Sequence, residues 1–245
     1  ALRLAHNPDG TYFVRDDQAV AQRLFGDQNT ALHTMRANFV WDLPDLSLDR
    51  GLVMKAVGLI VNDWSLSGVW TGTSATPYTV GFNYQNGGTS QQLTGSNNFP
   101  ARVRIVGSDL GAGCSSDSLR QFNPQAFAGP LVGSDGLDSD DNYLYGCFQS
   151  VLDLSIARTI RLGGSRSLQL RVDMFNAPNS AIITGRNATI NLNNPSDPTT
   201  ITNLAFDPAT GSPVTGRLTP RGAGAGVATS YQAPRNLQIT ARFAF

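Results

Sequence analysis

Hydrophobic and polar positions alternate with a period of two in five separate stretches of the chain. In the last, Asn236 to Phe245, Leu237, Ile239, Ala241, Phe243 and Phe245 fall on one face, opposite Asn236, Gln238, Thr240 and Arg242. Successive side chains of a strand point to opposite faces, so each stretch predicts a ribbon with one apolar and one polar side. Met35, Ala37, Phe39, Trp41 and Leu43 alternate in the same way with Thr34, Arg36, Asn38, Val40 and Asp42. Trp64, Leu66, Gly68 and Trp70 alternate with Asp63, Ser65, Ser67 and Val69, in a strand expected to run on towards Val80. Leu152, Leu154 and Ile156 alternate with Asp153, Ser155 and Ala157; Leu168, Leu170, Val172 and Met174 alternate with Ser167, Gln169, Arg171 and Asp173. Arg158 alone breaks the pattern by falling on an apolar face, and a guanidinium there is expected near an interface to which it can snorkel.

The connections are as informative as the strands. Gly163-Gly164-Ser165 is short and glycine-rich, as a tight hairpin with positive φ requires. The stretches from Asn83 to Ser150 and from Asn179 to Pro234 are long, polar and rich in Gly, Pro, Asn and Asp. Irregular loops beyond ~12–15 residues are uncommon in compact domains unless they are functional. Counting strands back from Phe245 puts both long stretches at one end and the short turn at the other. Pro44 to Asn62 then joins strands at the short-turn end, and it is long for that place. Trp41 and Trp64 flank this connection, either as an aromatic girdle at a membrane boundary or simply as the ends of buried strands.

Composition supports strand and loop over helix. The chain has 245 residues, no glutamate and a single lysine, Lys55; its acids are all aspartate. Glu and Lys favour helices, whereas Asp and Asn favour turns and caps. Zero net charge and scattered arginines leave no basic stripe, so no nucleic-acid partner is expected. No stretch approaches the ~18 apolar residues of a membrane helix. The first residue is Ala1, which makes the chain a processed, trimmed or partial product, and partial is preferred. Cys114 and Cys147, the two cysteines, lie in polar loop sequence without His or further Cys at metal-ligand spacing. They are expected to form a disulfide.

Two solvents explain the alternation equally well. In a soluble β-sandwich, an adhesion or carbohydrate-binding module, the apolar faces would pack together and the polar faces would be wet. In a membrane, unpaired backbone groups are excluded, so strands must close into a barrel with apolar residues outward. Leu168, Leu170, Val172, Leu237 and Ile239 would then touch lipid, and Arg36, Asp153, Arg171, Asp173 and Arg242 would face the lumen. Arg171 and Asp173 share a face, with Asp153 and Arg161 expected as neighbours on the paired strand. The final strand resembles the C-terminal signal of bacterial outer-membrane barrels, which the barrel-assembly machinery reads. Gln238, Phe243 and Phe245 occupy its polar, hydrophobic and terminal aromatic positions, with Thr240 in place of the usual glycine.

A wider resemblance follows from several motifs in order. These are Arg36-Ala-Asn-Phe-Val-Trp-Asp-Leu-Pro44, Asn62-Asp-Trp-Ser-Leu-Ser-Gly-Val-Trp70 and Gly72-Thr-Ser-Ala-Thr-Pro-Tyr78, followed by Arg120-Gln-Phe-Asn-Pro-Gln-Ala-Phe127 and Leu152-Asp-Leu-Ser-Ile-Ala-Arg158. Leu170-Arg-Val-Asp-Met-Phe-Asn-Ala-Pro178 and Pro234-Arg-Asn-Leu-Gln-Ile-Thr-Ala-Arg-Phe-Ala-Phe245 complete the set. From about His33 onward the chain resembles the late strands of Oar-like TonB-dependent outer-membrane receptors, with Ala75 where glycine is frequent. The resemblance implies an all-β, antiparallel transmembrane barrel of about 22 strands around an N-terminal plug that engages the TonB system. Residues 1–245 would be its C-terminal segment, without the plug and earlier strands. It also implies transport of an unidentified substrate across the outer membrane. A passive porin-like barrel is the other membrane reading.

No catalytic, cofactor or metal site is expected. Gly222-Ala-Gly-Ala-Gly226 lacks the strand before and helix after it that a phosphate-binding loop needs, and is expected to be a flexible lead into the last strand. Asp135, Asp138, Asp140 and Asp141 match no calcium-loop spacing and are expected to be a solvated loop. His6 and His33 stand far apart, and no Ser lies in a nucleophile-elbow context. Asn187-Ala-Thr189 fits a glycosylation acceptor pattern that carries no meaning in a bacterial protein.

Overall fold

The computed structural model describes residues 4–6, 12–14, 33–45, 61–86, 89–90, 101–130, 138–193 and 200–245. The chain divides into two compact units. One comprises His33–Ser74, Phe148–Ile182 and Gln232–Phe245; the other comprises Ala1–Leu32, Ala75–Cys147 and Ile183–Tyr231.

The first unit is a five-stranded antiparallel sheet. Its strands are β1 (Thr34–Asp42), β2 (Trp64–Thr73), β3 (Gln149–Gly163), β4 (Arg166–Phe175) and β5 (Asn236–Ala244). They lie in the order β5-β4-β3-β2-β1, so every neighbour in sequence is a neighbour in space. All five are the stretches whose alternation predicted strands. The hairpin between β3 and β4 turns on Gly163 and Gly164, whose φ values of 95° and 63° a side chain would strain. At this same end β1 connects to β2, and Leu43 donates its N–H to the Trp64 carbonyl. Residues 46–60 of that connection lie outside the described residues. Both long connections leave from the other end, from Thr73 to Gln149 and from Phe175 to Asn236.

Strand β2 stops at Thr73 and does not run on to Val80. Pro77 lacks the N–H that a central ladder needs, and its short strand Pro77–Tyr78 pairs instead with Leu144–Tyr145. Val80 is fully buried in the second unit.

That second unit has its own core, built, Val80 apart, from residues the pattern assigned to polar loops. Val80, Tyr84, Val103, Phe122, Ala126, Phe127, Leu144, Ile190, Leu192 and Ala225 form one buried cluster. Phe122 and Phe127 meet edge-on, and Phe127 stacks on Tyr143. Short strands tie the connections together: Arg104–Ile105 with Phe127–Ala128, Ile183–Arg186 with Ala228–Tyr231, and Thr189–Leu192 with Gly81–Tyr84. The last pairing is parallel, unlike those of the five-stranded sheet. Cys114 and Cys147 are bonded, as expected, across a separation of 33 residues. In the chain-entropy picture a closed loop of that size contributes about 3–4 kcal/mol.

Gly222–Gly226 is not a flexible lead into the last strand. Gly224 to Ala228 are buried, and their amides bond to carbonyls of Arg217, Asn203, Asn187, Gly224 and Ser118 in turn. A Cβ on Gly224 would lie 2.8 Å from the Asn203 carbonyl oxygen, so glycine is required for backbone to pass backbone.

Candidate functional site

The sheet brings the predicted site residues onto two faces by register alone. On the apolar face Leu168 pairs with Phe243, Leu170 with Ala241, Val172 with Ile239 and Met174 with Leu237. The row continues through Leu154, Ile156 and Ile160 on β3, then Leu66 and Trp70 on β2, then Met35, Ala37, Phe39 and Trp41 on β1. Nothing among the described residues covers the margins of this face: Ile239 is 78% exposed, Leu237 59% and Trp41 57%. A sandwich would have pressed these side chains against a second sheet. Bare apolar surface of this extent marks an interface with something apolar.

Aromatic rings bound the apolar face at both ends. Trp41 and Trp64 lie at the short-turn end, where the Arg158 guanidinium sits 5.6 Å from the Trp64 ring and donates to the Asn62 carbonyl. Arg158 thus lies at the short-turn end of the sheet, paired with Trp64. At the other end Trp70 and Phe148 crowd Gly72, where an added Cβ would approach the two rings at 2.6 and 2.9 Å. Gly68 is hemmed in similarly by Phe39 and Leu154. The glycines let rings lie flat across the strand, a recurrent device for shielding strand backbone. Sequence reasoning missed the Trp70–Phe148 pair because Phe148 lies just before its strand. The 10 residues of β2 span roughly 30 Å along the strand, or about 22 Å along a membrane normal at ~45° tilt. That matches an apolar band of ~25 Å between aromatic girdles.

The polar face carries Arg36 opposite Thr71, Asp153 opposite Val69, Asp173 between Ser155 and Gln238, Arg171 between Ala157 and Thr240, and Arg242 opposite Gln169. Arg171 Nε donates to Asp173 Oδ1 at 2.8 Å, along one strand. The expected cross-strand partners are elsewhere. Asp153 accepts the Asn176 backbone N–H at 2.8 Å, and Arg161 lies opposite Ser167 with Asp63 4.0 Å away. Register decides this, because Ser155 and Ala157, not charged residues, face Asp173 and Arg171. Gln238 sits on the polar face, while Phe243 and Phe245 stack with ring centroids 6.1 Å apart.

In the second unit the charged groups are largely spent on the unit's own structure. Arg102 is buried and pairs with Asp141, while donating to the Ser139 carbonyl at 3.0 Å. Burial pushes the Asp141 carboxyl above its ordinary value, and Arg102 draws it back down. Asp141 is thus not a solvated loop residue; Asp135 lies outside the described residues. Tyr143 accepts the Val80 N–H, and burial raises its hydroxyl to about 12. Tyr78 is likewise raised to about 12 by burial, against the pull of Arg186 4.5 Å from its ring. The Asn187 amide is committed to the Ala223 carbonyl and the Thr189 N–H. Among the described residues no three His, Cys, Asp or Glu converge as a metal site.

A family model described as an outer membrane beta barrel domain matches residues 7–238, nearly the whole chain. Comparisons with curated proteins and with solved structures found no match.

Proposed function

The chain belongs to the outer membrane beta barrel domain family, and on that premise we propose that it is the C-terminal barrel segment of an Oar-like TonB-dependent receptor. It is a protein of the bacterial outer membrane, in contact with lipid. The proposal adds coupling to TonB, a plug held against the polar face, and movement of an unidentified substrate; it assigns the segment no enzymatic role and no cofactor. Its main support is the union of the bare apolar face with two long connections that leave the sheet from one end and contribute to a separately packed unit. The ordered motifs from Arg36 to Phe245 support the receptor family over a passive porin. In this reading Leu168, Leu170, Val172, Leu237 and Ile239 meet lipid. Arg36, Asp153, Arg171, Asp173 and Arg242 line the lumen. Trp41 and Trp64 mark the periplasmic girdle, and Gln238, Phe243 and Phe245 are read by the assembly machinery. The five strands of the sheet among the described residues are too few to close a barrel, since the smallest have about eight; in this reading the remainder of the receptor supplies others.

Deleting Phe245 from the full-length protein is expected to cut the heat-modifiable outer-membrane form sharply, with precursor accumulating in the periplasm. Normal assembly of the deletion overturns the role given to the terminal aromatic. TonB coupling is tested by the gene upstream of Ala1. A sequence encoding a plug with a TonB-contact motif is expected, and a barrel without a plug would make the protein a passive channel.

A further inference from the structure

A cleft of about 520 Å³ opens within the second unit, between the Gly111–Gln125 segment and the Leu204–Gly211 segment. Its volume falls in the range of small-molecule sites, roughly 300–1,000 Å³. The walls are mainly apolar, from Leu119, Phe122, Pro124, Leu204, Phe206 and Pro208. Most polar side chains on the lining are already engaged. The Gln121 amide donates to the Ser115 and Asp117 carbonyls, Asn123 bridges the Asp109 carbonyl and the Gln125 N–H, and the Ser115 hydroxyl accepts from Asp117 N–H. Asp207 Oδ1 accepts from the Ala209 and Thr210 N–H groups, which holds its carboxyl below the ordinary value and so charged.

Two lining side chains differ. Among the described residues no hydrogen bond engages the Arg120 guanidinium or the Gln125 amide, and both are exposed. The Arg120 guanidinium carbon sits 4.2 Å from the Phe206 ring centroid, a cation–π attraction that leaves its N–H donors unused. A guanidinium with free donors matches a carboxylate through two parallel hydrogen bonds. The nearby Asp207 charge disfavours multiply charged anions such as phosphate.

We propose that this cleft binds a small monocarboxylate with an apolar or aromatic body, Arg120 and Gln125 taking the carboxylate and Phe206, Pro124 and Pro208 the body. The site goes beyond the transport reading and requires neither TonB nor a plug.

The test uses the full-length protein in detergent, with 3-phenylpropionate and its uncharged amide as probes followed by saturation-transfer NMR. The carboxylate is expected to bind more tightly than the amide by roughly tenfold, the value of one charge-assisted bidentate contact. Arg120→Gln should abolish that preference while leaving the amide unchanged, and Phe206→Leu should weaken both probes. Because Arg120 is exposed, Arg120→Gln should fold; retention of the Cys114–Cys147 disulfide under thiol labelling checks it. Equal binding of acid and amide, an acid preference that survives Arg120→Gln, or no binding of either probe overturns the proposal.

Discussion

The two units of this chain place their apolar side chains in opposite ways. In the sheet unit the margins of the apolar face are uncovered, and Ile239 and Phe245 are the most exposed large hydrophobics among the described residues. In the second unit Val80, Val103, Phe127 and Ile190 are at 1% exposure or less. Apolar surface leaves water in both cases. The difference is what receives it: in the proposed reading lipid for the sheet, other side chains of the same unit for the second. Exposure therefore means different things in the two places, and substitutions should separate them.

Phe127→Ala carries the largest expected effect. The ring contacts Phe122 and Tyr143 in the middle of the buried cluster, and such truncations cost about 3–5 kcal/mol. The loss should stay local: the purified protein becomes sensitive to limited proteolysis in Ala75–Cys147 or Ile183–Tyr231, while the heat-modifiable barrel still forms. If barrel assembly fails with it, the second unit does not pack independently of the sheet.

Ile239→Arg comes next and inverts the usual rule that exposed sites tolerate change. A charge on the lipid face near mid-membrane costs about 2–4 kcal/mol. Thr240→Arg, one residue along and on the polar face, should be close to neutral. Urea unfolding of the purified barrel in lipid vesicles measures both. Equal effects would mean that the two faces see the same solvent.

The sequence made the sheet legible and hid the second unit, for one physical reason. A strand between lipid and lumen must alternate over about ten residues, and that record survives in Leu168 to Met174 or Leu237 to Phe245. The core of the second unit comes from single residues on strands as short as two, such as Phe127–Ala128, which pairs with Arg104–Ile105. Thr189–Leu192 finds Gly81–Tyr84 across a long stretch of chain, and no local period announces such a partner. The overrun towards Val80 has the same origin, since apolar residues beyond Thr73 belong to another core. Within the site, faces were readable but partners were not. Period two put Arg171 and Asp173 together, whereas the register that set Ser155 and Ala157 opposite them is a property of the folded pair.

The smallest expected effect concerns that Arg171–Asp173 pair, and it sharpens the contrast because the second unit has a pair of the same chemistry. Arg102 is buried and Asp141 half-buried; removing one partner leaves a partly desolvated charge unpaired, and Arg102→Ala should cost about 1–3 kcal/mol. Arg171 is half exposed on the polar face, and its bond to Asp173 competes with water. Exposed pairs contribute ~0.2–1 kcal/mol, so Arg171→Ala should barely move the urea midpoint of the barrel. High salt should shrink even that difference, since mobile ions screen an exposed pair and hardly reach a buried one. A cost for Arg171→Ala equal to that for Arg102→Ala, and insensitive to salt, would show a dry polar face. The charged ladder would then be packed protein, and the assignment of Arg36, Asp153, Arg171, Asp173 and Arg242 to a wet lumen would fall.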